Sequence, residues 1–156
     1  MTGGVGMFQK IVVPVDGSKT AWKALDTAAS LAGKYGGDLV VVNVVEPYDA
    51  ISSMSMHLDR VVLEKALKAM KKASLDVLDD AKARLEKAGF AGKADFVEKE
   101  GNAANAAELI LSVARKEGAD SVVMGSRGLS GITEFLLGSV STKVTQYAEI
   151  PVLVVK

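Results

Sequence analysis

Residues 10–45 read KIVVPVDGSKTAWKALDTAASLAGKYGGDLVVVNVV. The run Lys10–Val15 is apolar and rich in β-branched residues, which is typical of a strand buried on both faces. Pro14 cannot donate a hydrogen bond to a sheet and marks the end of that strand. Ser18–Tyr35 has apolar residues at three- and four-residue steps, which predicts a helix, and Leu39–Val45 repeats the strand pattern. This order of strand, helix and strand predicts a right-handed crossover between two parallel strands.

The rest of the chain continues this alternation. Residues 46–57, which include a proline and the only histidine, are predicted to form a loop. The elements predicted after it are a helix over about Leu58–Ala88, an edge strand over Lys93–Glu98, a helix over Asn102–Lys116 capped by Asn102, a strand over Ser121–Met124, a helix over Ser139–Tyr147 and a strand over Pro151–Val155. This pattern predicts an α/β fold, an open five-stranded parallel sheet with helices on both faces. Periodicity does not determine the strand order, but the order expected for a Rossmann-like sheet is 3-2-1-4-5.

Composition narrows the class of protein. Apolar residues make up 49% and aromatic residues 5% of the chain, so the core is aliphatic, as suits a parallel sheet covered on both faces. The 19 basic and 19 acidic residues cancel, so neither nucleic acid nor an anionic membrane is expected as a partner. Cysteine is absent, which excludes disulfides and favours a reducing, cytoplasmic location. Residues 1–7 lack the features of a signal peptide, and residues 1–6 are predicted to be a flexible tail before one domain at 7–156.

Two segments follow predicted strands and carry unusual chemistry, Pro14–Ser18 and Gly125–Ser139. In open parallel sheets, ligands bind beyond the carboxyl ends of the strands. Glycines in the second segment let the backbone approach a ligand closely, and successive N–H groups there can form a nest for an anion. The helix predicted from Ser139 adds unpaired N–H donors, and the hydroxyls of Ser139 and Ser141 can reach phosphate oxygens. On the glycines alone, however, a tight strand-to-helix loop without a ligand is about as well supported.

Common nucleotide and catalytic motifs do not fit this sequence. A P-loop needs lysine and then serine or threonine after its last glycine, whereas Gly138 is followed by Ser139-Val140. A dinucleotide fingerprint needs a G-x-G-x-x-G turn after the first strand, where this chain has Asp16-Gly17-Ser18. The single histidine, His57, falls in the predicted loop, so no histidine pair suggests a zinc site and no second histidine supports a serine–histidine relay. No catalytic residue is therefore predicted.

The spacing Gly125-x2-Gly128-x9-Gly138-Ser139 resembles the nucleotide-binding signature of ATP-binding universal stress proteins. The stretches Ile11–Ser18, Val42–Val45 and Ile150–Val155 are similar to that family's first strand and turn, second strand and last strand. The resemblance extends from about residue 7 to residue 156. It implies an adenine nucleotide, ATP or else AMP or ADP, accompanied by Mg²⁺ that is held mainly through phosphate oxygens.

The resemblance also implies roles for individual residues. In the family, the aspartate after the first strand contacts the adenosine part of the ligand, which implies this role for Asp16, with Pro14 and Val15 beside it. The remaining implied contacts are the backbone of Val44 with adenine, Met124 and Gly125 with ribose, and Gly128, Gly138, Ser139, Val140 and Ser141 with the phosphates. Arg127 occupies a position that varies in the family, and its cation either adds a phosphate contact or faces water.

The resemblance implies a homodimer that pairs through the last strand, residues 151–155. The function expected first is a nucleotide-dependent regulatory or stress-response protein with at most slow hydrolysis, because no general base is evident. A slow ATPase or nucleotidyl-transfer enzyme is the alternative. A nucleotide-free dimerisation module of the same fold ranks third, because relatives without ligand lack the spaced glycines that this chain retains.

Overall fold

A computed structural model describes residues 6–45, 59–101, 104–127 and 137–156. The predicted loop 46–57, most of the predicted tail and the central residues of the glycine-rich segment lie outside the described residues. In chain order the elements are β1 (Lys10–Pro14), α1 (Lys19–Tyr35), β2 (Asp38–Val45), α2 (Arg60–Lys87), β3 (Ala94–Glu100), α3 (Ala106–Glu117), β4 (Ser121–Gly125), α4 (Ser139–Tyr147) and β5 (Val152–Val155). No helix within the described ranges is long and apolar enough to cross a membrane.

The five strands form one parallel sheet in the order β3-β2-β1-β4-β5, which confirms the predicted fold and strand order. Val12 of β1 pairs with Val40 of β2 on one side and with Val122 of β4 on the other. The winding of the chain therefore reverses between β1 and β4. In sheets of this type the crevice at that reversal is where ligands bind.

Two aliphatic cores cover the two faces of the sheet. Val13 and the buried side of α1 and α2 share one core, whereas Val12 packs on the other face against α3 and α4. Adjacent strand residues point to opposite faces, so a strand buried on both sides reads as a continuous apolar run. This geometry explains the unbroken run of β-branched residues in β1.

Helix α2 is only partly buried. The apolar stripe that the sequence predicts for it comprises Leu67, Met70, Val77, Leu78, Ala81 and Leu85. The fully buried residues of α2 all lie from Ser74 onward, and Leu67 is 38% exposed, so its assignment to the core was wrong. A helix of 28 residues is about 42 Å long, whereas the eight-residue β2 spans only about 26 Å. The sheet is too short to bury the whole stripe.

The remaining boundaries agree with the sequence patterns except at α3. Helix α1 ends at Gly36, as predicted, and β1 ends at Pro14. Helix α3 begins at Ala106 with Asn105 as its N-cap, later than the predicted start at Asn102, which itself lies outside the described residues. Both asparagines precede the apolar pattern, and periodicity cannot distinguish caps that are three residues apart.

Candidate functional site

Two turns lie side by side where the winding reverses. The β1 turn, defined as Val15–Ser18, joins β1 to α1, and the glycine-rich turn, defined as residues 125–139, joins β4 to α4. The two turns adjoin because β1 and β4 are neighbouring parallel strands, and parallel strands end at the same edge of a sheet. Of the glycine-rich turn, the structure describes residues 125–127 and 137–139.

Main-chain hydrogen bonds define the β1 turn. The Val15 N–H donates to the Val42 carbonyl at 2.8 Å, and the Ser18 N–H donates to Oδ1 of Asp16 at 2.9 Å. Gly17 has a φ of 88°, in the left-handed region that favours glycine. Ser18 caps α1 by accepting a hydrogen bond from the Ala21 N–H at 3.2 Å. The half-buried Asp16 carboxylate is therefore held at the mouth of the crevice with one oxygen already hydrogen-bonded.

Two buried polar side chains hold this turn in place through hydrogen bonds. Asn43 of β2 donates from Nδ2 to the Val15 carbonyl at 2.7 Å. The hydroxyl of Ser74 in α2 donates to Oδ1 of the same asparagine, also at 2.7 Å. The residue patterns did not identify either side chain as part of the site. The available signal was an asparagine in an otherwise apolar strand, because a buried amide needs hydrogen-bond partners.

Close packing joins the end of β4 to the start of α1. A Cβ atom on Gly125 would lie 2.7 Å from Oγ1 of Thr20 and 2.9 Å from the carbonyl carbon of that residue. A side chain at this position would therefore require the first turn of α1 to move. The Thr20 hydroxyl also donates to the Arg127 carbonyl at 2.5 Å. Helix α1 thus holds both the β1 turn and the beginning of the glycine-rich turn.

Ser126 brings the two ends of the glycine-rich turn together. Its carbonyl accepts a hydrogen bond from the Gly138 N–H at 2.7 Å and another from the Ser141 hydroxyl at 2.9 Å. Its own N–H donates to the Val155 carbonyl of β5 at 2.8 Å. The two described ends of the glycine-rich turn are therefore joined at its base.

The start of α4 has the character of an anion site. Gly138 is the N-cap residue, and as a glycine it has no side chain with which to cap this end of the helix. Among the described residues, no side chain accepts from the N–H groups of this first turn, which begins with the exposed Ser139, so these donors suit an external acceptor. They lie at the positive end of the helix dipole, which favours negative charge.

The structure brings most of the predicted site residues to one edge of the sheet. Pro14, Val44 and Arg127 are half-buried there, and Met124 is almost fully buried in the core beneath. Gly128 lies outside the described residues. The Ser141 hydroxyl was predicted to contact phosphate, but here it is buried and donates to the Ser126 carbonyl. It closes the turn in this conformation and would have to rotate away to donate to a ligand.

The described part of the site offers backbone donors, hydroxyls and one carboxylate. Within the described ranges no three histidine, cysteine, aspartate or glutamate side chains come together as ligands for a metal ion. The chemistry that this arrangement supports is recognition of an anion next to a group that donates hydrogen bonds to Asp16.

Comparison with known proteins identifies the family. The model of the universal stress protein family matches residues 7–156. The chain belongs to the universal stress protein family. Within that family, the universal stress protein YxiE of Bacillus subtilis is 35% identical over 153 residues, which cover 96% of this chain and 100% of the relative. The resemblance to this family that the sequence motifs indicated is confirmed.

Solved universal stress protein structures share the fold. The structure of MJ0577, a universal stress protein of Methanocaldococcus jannaschii, superposes with a TM-score of 0.80 at 26% identity, covering 97% of each chain. A universal stress protein in complex with cAMP superposes with a TM-score of 0.65 at 25% identity, covering 96% of this chain and 98% of the other. Members of the family thus include a protein whose solved complex contains an adenine nucleotide.

Proposed function

We propose that this universal stress protein binds an adenine nucleotide, ATP or else AMP or ADP, between the β1 turn and the glycine-rich turn. The observation that carries the proposal is the N-terminus of α4, which no described side chain caps and which the Ser126–Gly138 hydrogen bond of 2.7 Å anchors next to the turn that carries Asp16. Phosphates would accept hydrogen bonds from the first-turn N–H groups of α4. The cAMP complex of a relative supports the same ligand class.

The nucleotide would be contacted from both sides, by the β1 turn and by the glycine-rich turn. Asp16 would accept hydrogen bonds from the adenosine part, and the backbone of Val44 would meet adenine at the end of β2. Gly138, Ser139 and Val140 would hold the phosphates, with Gly128 and Arg127 contributing from the rest of the glycine-rich turn. Mg²⁺ would accompany ATP mainly through phosphate oxygens, since the described residues supply no cluster of acidic side chains for it.

The proposed activity is regulation rather than catalysis. The carboxylate in the described part of the site, Asp16, already accepts a hydrogen bond from the Ser18 N–H at 2.9 Å. Its proposed partner is the adenosine part rather than the phosphates, where water would attack, so hydrolysis would be slow at most. Binding of nucleotide would instead change the conformation or the partner choice of a stress-response protein. A cytoplasmic location is proposed with it, because a chain without cysteine suits a reducing compartment.

Calorimetric titration with ATP in the presence of Mg²⁺ tests the proposal. We expect saturable binding of one nucleotide per chain, and mass spectrometry of small molecules released from the purified protein should detect an adenine nucleotide. No saturable binding at millimolar nucleotide would remove the proposal. Multiple turnovers of ATP that vanish in Asp16→Ala would favour the slow ATPase instead.

The edge strand β5 supports a homodimer as a further part of the proposal. β5 pairs with β4 on one side, and Leu153 is 41% exposed. An apolar edge strand is a template for pairing with another chain, and a second copy offers a matching edge. We expect a dimer by light scattering and a monomer for Leu153→Lys. Leu75→Lys, at an exposed position of α2, should leave the dimer intact. A monomeric parent protein, or a dimer unaffected by Leu153→Lys, would contradict this arrangement.

A further inference from the structure

The buried pair Asn43–Ser74 lies beneath the β1 turn, and neither residue is among those proposed to contact the nucleotide. Asn43 is 7% exposed and Ser74 is 4% exposed. Burying an amide and a hydroxyl is favourable only when their hydrogen bonds are satisfied, and apolar side chains would serve the core equally well. The polar pair therefore requires an explanation beyond packing.

The geometry of the pair specifies the orientation of the Asn43 amide. Oδ1 accepts from the Ser74 hydroxyl at 2.7 Å, so Nδ2 is the group that faces the Val15 carbonyl at 2.7 Å. If the Asn43 amide were rotated by about 180°, its Oδ1 would face the Val15 carbonyl oxygen, and two acceptors would be in contact. The Val15 carbonyl can only accept and therefore selects Nδ2, while the Ser74 hydroxyl donates to Oδ1 and holds the amide in place from the side of α2.

Holding the Val15 carbonyl orients Asp16. The peptide group that joins these two residues is planar, so fixing the carbonyl also fixes the direction of the Asp16 N–H and the position of its Cα. The preceding peptide is held by the Val15 N–H bond to the Val42 carbonyl at 2.8 Å. Helix α2 touches the turn a second time, because Cγ2 of Val77 lies 3.6 Å from where a Cβ on Gly17 would be.

We infer that Asn43 and Ser74 are positioning residues, through which α2 sets the orientation of the Asp16 carboxylate for the nucleotide. The inference rests on the proposed function and extends it to residues that make no contact with the ligand. Any shift of α2 along its axis would move Ser74 and alter the β1 turn. The affinity for nucleotide is thereby coupled to the packing of α2.

The test compares Ser74→Ala with a matched loss of a buried hydroxyl at the other end of the sheet. Ser121, the first residue of β4, is 1% exposed and donates to Oδ1 of Asp120 at 3.0 Å. Both variants lose one buried hydroxyl and should lose similar stability. Titration well below the unfolding temperature should show ATP binding weakened about fivefold in Ser74→Ala and unchanged in Ser121→Ala. Equal affinities in the parent protein and Ser74→Ala, or equal weakening in both variants, would overturn the inference.

A double-mutant cycle sharpens the test. Asn43→Leu keeps the size of the side chain and removes both hydrogen bonds, so binding should weaken by more than about tenfold. Adding Ser74→Ala to it should have no further effect, because the hydroxyl acts only through the amide. Additive effects would show that Ser74 acts by another route and would overturn the inference.

A readout without nucleotide separates this inference from the proposed function. In ligand-free protein, ¹H–¹⁵N spectra of Ser74→Ala should show shifted amide signals for Asp16, Gly17 and Ser18, and those of Ser121→Ala should not. Unshifted signals would overturn the positioning role. Failure of the parent protein to bind ATP, with these signals shifted, would remove the proposed function and leave the structural coupling established.

Discussion

The β1 turn and the glycine-rich turn face one crevice but are built in different ways. The β1 turn is short, and side chains from other elements support it, above all Asn43 at 2.7 Å from the Val15 carbonyl. The glycine-rich turn is long and is closed at its base by the main-chain bond from Gly138 to Ser126. The first presents a carboxylate, and the second presents N–H groups.

The difference matches the two parts of the proposed nucleotide ligand. A carboxylate accepts hydrogen bonds from hydroxyl or amine groups, and these bonds form only when its oxygens point toward the donors. A firmly held turn suits such a carboxylate because it keeps that orientation. Several main-chain N–H groups can donate to an anion in more than one position, and small residues let the anion come close to the backbone. Helix α1 contacts both turns through Ser18 and Thr20, so the two halves of the crevice are joined by one rigid element.

The largest effect is expected where the two turns are packed together. Gly125→Ala would place a Cβ 2.7 Å from Oγ1 of Thr20, so the first turn of α1 must move and the protein should lose about 2 kcal/mol of stability. Urea denaturation measures this loss. Gly33→Ala in α1 is the control, because no atom lies within 4 Å of its Cβ, and it should gain about 0.5–1 kcal/mol. Equal stability of Gly125→Ala and the parent protein would show that the helix and strand are not tightly packed.

Loss of the carboxylate tests the β1 turn alone. Asp16→Ala should weaken ATP binding by more than about tenfold, or about 1.4 kcal/mol, because a charged acceptor for adenosine is lost. Asp16→Asn should weaken it less, since the amide oxygen can still accept from the Ser18 N–H. Asp38→Ala removes a carboxylate that accepts from the Lys93 N–H at 3.0 Å near the opposite end of the sheet. That control should bind ATP normally, and normal binding by Asp16→Ala would refute the assignment.

A smaller effect is expected from the bond between α1 and the glycine-rich turn. Thr20→Val keeps the shape of the side chain and removes its hydrogen bond to the Arg127 carbonyl. Stability should fall by about 1 kcal/mol, and ATP binding should weaken by about fivefold at most. Thr27→Val removes a similar bond of 2.8 Å to Lys23 within the same helix and should leave ATP binding unchanged. Calorimetry on both variants decides whether α1 positions the glycine-rich turn.

The sequence alone determined the architecture and most of the candidate site. Alternation of mostly apolar, β-branched runs with helical patterns indicates a parallel sheet, because strands buried on both faces have few polar positions. The turn residues Asp16, Gly17 and Ser18 and the glycine at 125 mark strand ends where a ligand can bind, and the glycine at 138 marks the start of the next helix. These are local signals, which is why they are readable from one chain.

Only the tertiary structure decided which groups hold the site in place. Asn43 is 28 residues from Val15 and 31 from Ser74, and Thr20 is 107 residues from Arg127. The tertiary structure also shows that the Ser141 hydroxyl donates to the Ser126 carbonyl and that the early residues of α2 lie outside the core. Periodicity reports which face of an element is buried, but a hydrogen bond between distant residues depends on strand order, register and helix placement, which exist only in the folded chain.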